Sequence, residues 1–217
     1  MLLTSTEIRV LGSLIEKQIT TPEYYPLTLN ALTAACNQKN NRNPVMTLSE
    51  SEVENALDSL REKNLAYVFH GSTSRVPKYK HVAPEVLQLN RAELAALCVL
   101  MLSGPQTTGE IRTRGSRLYE FKGLEEVDET LRALSTRDSE PLVMKLPRQP
   151  GRKEARFAHM LSGQPPIEAT AESLAPRPGR REHDADRVSK LEARVQAMVR
   201  QVEELTAQFE EFKKQFE

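Results

Sequence analysis

A chain of 217 residues with 28% charged residues, 5% aromatics and no tryptophan has room for one or two modest cores, and leans toward helical, surface-rich architecture. Lys+Arg and Asp+Glu balance at 30 each, which excludes a globally basic nucleic-acid binder; any such contact has to come from local patches. The N-terminal residues carry no signal-peptide pattern, the longest apolar run (Leu94 to Leu102) is too short for a bilayer, and Cys36 and Cys98 stand alone, so a cytoplasmic protein with no membrane association and no disulfide framework is expected.

Thr4-x-x-Glu7 reads as a capping box that opens an apolar helical pattern at Ile8, Leu11, Leu14, Ile15 and Ile19. A short helix is expected over Thr28 to Cys36, with Leu29, Leu32 and Ala35 on one side. A third, Ser49 to Lys63, carries Val53, Leu57 and Leu60. A β-hairpin follows, pairing Leu65–Phe69 with Lys78–Val82 around Gly71-Ser72-Thr73-Ser74.

The same succession then recurs. Asn90-x-x-Glu93 is a second capping box, 86 residues after the first, and leads into Leu94, Leu97, Val99, Leu100 and Leu102. Thr107-x-x-Glu110 opens a helix running to Leu118. Val127, Leu131 and Leu134 repeat the third-helix spacing at an offset of 74, within a helix from Leu124 to Arg137. A hairpin pairs Leu142–Leu146 with Arg156–Met160 around Pro147-Arg148-Gln149-Pro150-Gly151. Tyr79-Lys80-His81-Val82 and Phe157-Ala158-His159-Met160 match at an offset of 78.

Three helices followed by a hairpin is the winged form of the helix-turn-helix, with helices two and three as the motif and the hairpin as the wing. The expected fold class is therefore mainly α (α+β), with winged helix-turn-helix domains at 1–88 and 89–163. The stretch 164–183, with Pro165, Pro166, Pro176 and Pro178, reads as a proline-rich linker. Residues 184–217 carry Val188, Leu191, Val195, Met198, Val202, Leu205, Phe209, Phe212 and Phe216 at steps alternating 3 and 4. That is a heptad seam, with Val188, Val195 and Val202 at a and Leu191, Met198 and Leu205 at d, a combination that favours a two-stranded parallel homodimer.

No catalytic motif appears, and His70, His81, His159 and His183 are not at ligand spacing, so no enzyme activity, metal or cofactor is expected. His81 and His159 occupy equivalent strand positions, which suggests a structural role in each hairpin. Both third helices are acidic: Glu50, Glu52, Glu54, Asp58 and Glu62 outnumber Arg61 and Lys63, and Glu125, Glu126, Asp128 and Glu129 outnumber Arg132 and Arg137. A major-groove reading helix carries Arg, Lys, Asn or Gln at its N-terminal end, and an acidic end is repelled by phosphate. The candidate DNA contacts lie elsewhere: Arg42 in the turn before the third helix, Arg75, Lys78 and Lys80 on the first wing, Arg112, Arg114 and Arg117 on the second copy's helix two, and Arg148, Arg152, Lys153 and Arg156 on its wing. Two readings stay open: a non-enzymatic, regulatory protein associated with double-stranded DNA, and an adaptor that holds protein partners on winged-helix surfaces.

The stretch Leu29 to Lys39 (LNALTAACNQK), followed by Asn41-Arg42-Asn43-Pro44-Val45, resembles the YceH-like family of bacterial proteins. So does Leu146-Pro147-Arg148-Gln149-Pro150-Gly151 followed by Glu154, Arg156 and His159. The resemblance covers about Met1 to Gly163 and implies tandem winged-helix domains in a bacterial cytoplasmic protein, with no catalytic residues to carry over. In architecture alone the tandem also looks like the small subunit of the chromosome-condensation complex, which binds partner proteins.

Overall fold

In the computed structural model, which describes residues 2–69, 76–137, 140–148 and 154–165, side-chain caps fix where the main helices begin. Thr4 accepts the Glu7 N–H at 3.2 Å, and the Glu7 carboxylate accepts the Thr4 N–H at 2.6 Å, opening α1 (Ser5–Thr20). The same reciprocal pair opens α3 (Glu50–Glu62) from Ser49 and Glu52, α5 (Arg91–Ser103) from Asn90 and Glu93, and α6 (Thr108–Gly115) from Thr107 and Glu110. Each box satisfies two otherwise orphaned backbone donors. Thr28 alone caps α2 (Leu29–Cys36). Gly123 precedes α7 (Leu124–Ser135) without a side-chain cap, and the Glu126 carboxylate takes the Lys122 N–H instead, at 2.6 Å. A four-residue α4 (Ala83–Val86) leads from the first repeat into the second.

Among the described residues the architecture is mainly helical with two small antiparallel sheets. The first is ordered β1-β3-β2, from β1 (Leu27–Thr28), β2 (Ala66–Phe69) and β3 (Lys78–His81). The second pairs β4 (Val143–Lys145) with β5 (Phe157–His159). Both hairpins fall where the alternation placed them, and Leu146 N–H to Arg156 O and Met160 N–H to Leu142 O extend the second by a pair at each end. Strand β1 was not anticipated. Two residues carry no periodicity, and Thr28 serves as strand residue and helix cap at once. The second repeat keeps a remnant of it, a single bridge in which Gln106 and Phe157 exchange both backbone hydrogen bonds, at 3.0 and 2.8 Å.

The two repeats share one core. In α1 every residue from Glu7 to Glu16 is buried, and in α5 every residue from Leu94 to Ser103. Helices buried all round form the centre of a structure and do not show a single amphipathic stripe. They pack on each other across Gly12, where a methyl group would lie 2.9 Å from Leu102 Cδ2, so the close approach depends on glycine there. Gly12 O accepts the Cys98 thiol at 3.5 Å, and position 98 is the counterpart of position 12 at the 86-residue offset. A residue that meets its own counterpart marks an approximate two-fold axis, the geometry of an isologous dimer interface inside one chain. Leu3 N–H donates to Leu161 O at 2.7 Å, tying the start of the first repeat to the end of the second. Apart from Gln164 and Pro165, the linker 164–183 and the heptad segment 184–217 lie outside the described residues.

Val53, Leu57 and Leu60 on α3, and Val127, Leu131 and Leu134 on α7, are all fully buried. Leu57→Ala or Leu131→Ala is expected to cost about 2–5 kcal/mol through lost burial and a residual cavity, read from denaturant midpoints. Because the core is common to both repeats, either substitution should lower one cooperative transition and leave no separately stable half.

His81, buried, and His159, partly buried, stand at equivalent positions of β3 and β5, and desolvation pushes both imidazoles down to about 4. Unfolded chains therefore bind more protons than folded ones between pH 4 and the ordinary histidine value of about 6.5. Stability is expected to be full above pH 6.5 and to fall as the pH drops toward 4, by up to about 3 kcal/mol per histidine. Urea midpoints measured from pH 7 to 4.5 should show this slope, and the His81→Leu/His159→Leu double variant should flatten it.

Candidate functional site

The residues that stand out physically are charged and inside the protein. Glu16, on the last buried turn of α1, has no exposed side-chain surface, and neither has Arg42. The Arg42 guanidinium donates through Nη1 to Glu16 Oε1 at 3.0 Å and through Nη2 to Oε2, a bidentate pair. Arg117, just beyond α6 of the second repeat, reaches the same carboxylate from the other side and ion-pairs with it. Burial alone would raise Glu16. The Arg42 hydrogen bonds, then the charges of Arg42, Arg117 and Lys17, outweigh it and hold the carboxyl below the usual carboxylate range.

The cations are held in turn by the end of a helix. Arg42 Nη2 donates to Ala35 O at 2.9 Å, and Arg9, itself buried, donates to Cys36 O at 3.0 Å and to Pro44 O. Ala35 and Cys36 close α2, whose last carbonyls carry the negative end of the helix dipole. The loop after α2 is pinned at its base, where the Asn37 side chain donates to Leu48 O at 2.8 Å and accepts the Leu48 N–H at 2.7 Å. At its tip Asn43 N–H donates to Leu102 O of α5 at 2.8 Å. The segment Asn41-Arg42-Asn43-Pro44 is thus the joint between the repeats. Beside it opens a cleft of about 510 Å³ lined by Asn41, Gly109, Glu110, Thr113, Arg114, Ser116 and Arg117.

This corrects the expectation for Arg42, whose guanidinium is enclosed by Glu16 and Ala35 and cannot face a phosphate. The sequence offered no signal for it, because an Arg among asparagines in a turn reads as a solvated loop. Arg117 spends its charge on Glu16 while staying partly exposed. Arg156 is tied to Pro105 O at 2.7 Å and to Glu110 at 2.9 Å. Arg112 and Arg114 are exposed on the last turn of α6 and make no ion pair among the described residues. Arg148 is exposed at the end of the second hairpin's first arm. Lys78 and Lys80 are partly exposed on β3. Arg75, Arg152 and Lys153 lie outside the described residues, as do Val188, Leu191, Val195, Met198, Val202, Leu205, Phe209 and Phe212 of the heptad seam.

The acidic third helices use several of their carboxylates internally. Glu50 accepts from Asn30 Nδ2 at 3.1 Å, and Asp128 accepts from Thr108 Oγ1 at 3.0 Å, each tying the start of the third helix to the start of the second. Glu52 and Glu126 are committed to N-terminal caps. Among the described residues no helix is long and apolar enough to cross a membrane.

These features define a mainly helical protein of two packed repeats, joined through a buried carboxylate between two arginines. The family model described as "Protein of unknown function, DUF480" matches residues 3–152, and the chain belongs to this family. The chain is 51% identical over 200 residues to a UPF0502 protein of Geobacter sulfurreducens, covering 91% of this chain and 90% of that one. It is 47% identical over 196 residues to a UPF0502 protein of Opitutus terrae, covering 90% and 83%. A UPF0502 protein of Shewanella piezotolerans is 50% identical over 204 residues, covering 90% and 93%. The family is consistent with the resemblance carried by the Asn41–Pro44 and Leu146–Gly151 segments.

Glu16→Gln is expected to cost about 3–5 kcal/mol, since it leaves Arg42 buried without its counter-charge. Glu16→Leu/Arg42→Met, which removes both charges, should recover much of that loss in the same denaturant titration. Such a recovery would assign Arg42 to the fold and away from ligand contact.

Proposed function

We propose that each repeat is a winged helix-turn-helix and that the protein is a non-enzymatic, regulatory protein associated with double-stranded DNA, dimerised through residues 184–217. The element order of each repeat supports the first part: helix, short strand or bridge, helix, helix, hairpin, with the early strand on the hairpin's second arm. The observation that carries the second is the distribution of free cations. Arg112, Arg114 and Arg148 are exposed on or after α6 and on the second hairpin, while the carboxylates at the start of α7 are partly spent on caps and helix ties. Contacts of this kind bind phosphate, position the protein and read little sequence. Two copies joined by a coiled coil would add avidity to a weak single contact.

A second reading is favoured by a different observation. Glu125 and Glu129 on α7, and Glu54 and Asp58 on α3, remain exposed on the faces where a DNA reader would be basic. Those faces suit a basic protein partner better than a duplex, which is the adaptor reading.

Replacing Arg112, Arg114, Arg148, Arg152 and Lys153 with Ala is expected to weaken binding to all duplexes alike. The log–log salt slope should flatten by about 0.9 for each phosphate contact removed. Fluorescence anisotropy with random-sequence duplexes at two salt concentrations measures both. Deleting residues 184–217 should turn a dimer into a monomer by sedimentation equilibrium and lower duplex affinity together. Tight binding confined to one sequence and abolished by Glu50 or Glu125 substitutions would overturn the reading, and absence of duplex binding at low salt would favour the adaptor.

A further inference from the structure

The first hairpin has a face that the second lacks. By the antiparallel register, Tyr67 is opposite Lys80 and Phe69 opposite Lys78, so these four side chains share the outward face of β2 and β3. Their neighbours Ala66, Tyr79 and His81 point inward and are buried. Tyr67 and Phe69 are 40% and 38% exposed, large values for aromatic rings in a chain with so few of them. No residue of either strand is acidic. At the matching positions of the second hairpin stand Met144, Leu146, Ala158 and Arg156, of which Leu146 and Ala158 are buried and Arg156 is tied to Glu110. The second hairpin therefore repeats the strand pairing and presents a different outer face.

We propose that Tyr67, Phe69, Lys78 and Lys80 form a stacking platform for unpaired nucleotides, so that the first repeat binds single-stranded nucleic acid. Residues i and i+2 of a strand lie about 7 Å apart on one face, which seats two bases side by side on two rings. Aromatic rings on a sheet face take bases that have been splayed out, and the sequence tolerance of such contacts follows from every base having a π-face. Inside a duplex those base faces are covered by their neighbours, so a flat platform selects the single strand. The lysines directly across the ladder supply charge for the backbone of the strand that stacks. Lys80 Nζ rests 4.8 Å from the centre of the Phe69 ring. An exposed cation–π contact of this kind is weaker than a base–aromatic stack, so an incoming base can displace the flexible ammonium toward a phosphate. Protein interfaces also favour aromatic rings, but they deplete lysine from their buried centre, and lysines make up half of this face. The inference rests on the nucleic-acid reading above only for the class of ligand; the surface and the strand state are its own.

The test is anisotropy of a short fluorescein-labelled oligothymidylate and of a random duplex, titrated with the full-length protein at low salt. The oligothymidylate is expected to bind, and Tyr67→Ala and Phe69→Ala each to weaken it by about 5- to 100-fold. Tyr67→Phe, which keeps the ring, should bind like the wild type. Lys78→Ala and Lys80→Ala should each flatten the single-strand salt slope by about 0.7. The rings are 38–40% exposed, so the Ala variants should keep a cooperative melt by circular dichroism, lowered only by the lost part of their packing, and Met144→Ala on the matching face of the second hairpin should leave binding unchanged. Failure of the oligothymidylate to bind while the duplex does would overturn the platform and leave the duplex reading standing. Single-strand binding that survives both ring deletions but is lost with Arg112, Arg114, Arg148, Arg152 and Lys153 would do the same. Binding of neither probe would overturn both.

Discussion

One buried carboxylate organises the junction of this molecule. Glu16 sits where the first helix of the first repeat ends its buried stretch, and it is reached by Arg42 from the loop of its own repeat and by Arg117 from the other repeat. A lone carboxylate at that depth would have to protonate or be hydrated. Here it stays ionised because a bidentate guanidinium and a second arginine converge on it, and the α2 C-terminus in turn holds Arg42 and Arg9. Glu16 and Arg42, both without exposed side-chain surface, are therefore tolerable only in each other's presence. Such networks add less to stability than their contacts suggest, but they punish every alternative arrangement that leaves a charge unpaired. The cluster reaches the second repeat through the ion pair of Glu16 with the half-exposed Arg117.

The duplication explains why the cluster lies on one side only. Positions 12 and 98 meet across the approximate two-fold axis, and at the same offset Glu16 corresponds to Leu102. In a true homodimer both positions would be the same residue, so the axis would hold either two buried acids or none. Fusion into one chain frees each half to differ. The first repeat supplies the acid, and the second supplies an apolar side chain that packs over Gly12 and a backbone carbonyl that accepts from Asn43. The hairpins differ in the same way: Tyr67, Phe69, Lys78 and Lys80 stay open to solvent on one, while Leu146 and Ala158 at matching positions of the other are covered. Symmetric packing thus coexists with asymmetric surfaces.

Much of the fold was legible because it is written in local, periodic signals. Thr4 and Glu7, Asn90 and Glu93, and Thr107 and Glu110 are three residues apart and need no tertiary knowledge to be recognised as caps. The hairpins were legible from alternation, and the core positions of α3 and α7 from their matched spacing. What escaped has a common cause. Strand β1 depends on a partner some fifty residues away (Leu27 beside Tyr79), and its two residues show no period of their own. The sharing of one core by both repeats depends on the packing at Gly12, which in a sequence is only a small residue inside a helix. Arg42 was misplaced because charge in a loop is read as solvated unless its buried partner is known, and Glu16 lies 26 residues away on an apolar helix. The outward aromatics of β2 fell into an alternating strand whose two faces the sequence does not label.

These corrections change which cations are available to a ligand. Of the arginines and lysines expected as local DNA contacts, Arg42 is spent on Glu16, Arg117 is shared with it, and Arg156 is spent on Glu110 and Pro105. What remains among the described residues is divided between two places. Arg112, Arg114 and Arg148 belong to the second repeat, while Lys78 and Lys80 lie beside the exposed rings of the first. The second set shares one strand face with two exposed rings. Cations without rings hold phosphates whether or not the bases are paired, whereas rings gain only from bases whose faces are free. Binding phosphate on one repeat and unpaired bases on the other would suit a substrate with both duplex and single-stranded parts. Because the two repeats share one core across α1 and α5, the separation of those two surfaces would be fixed by the fold, not by a linker.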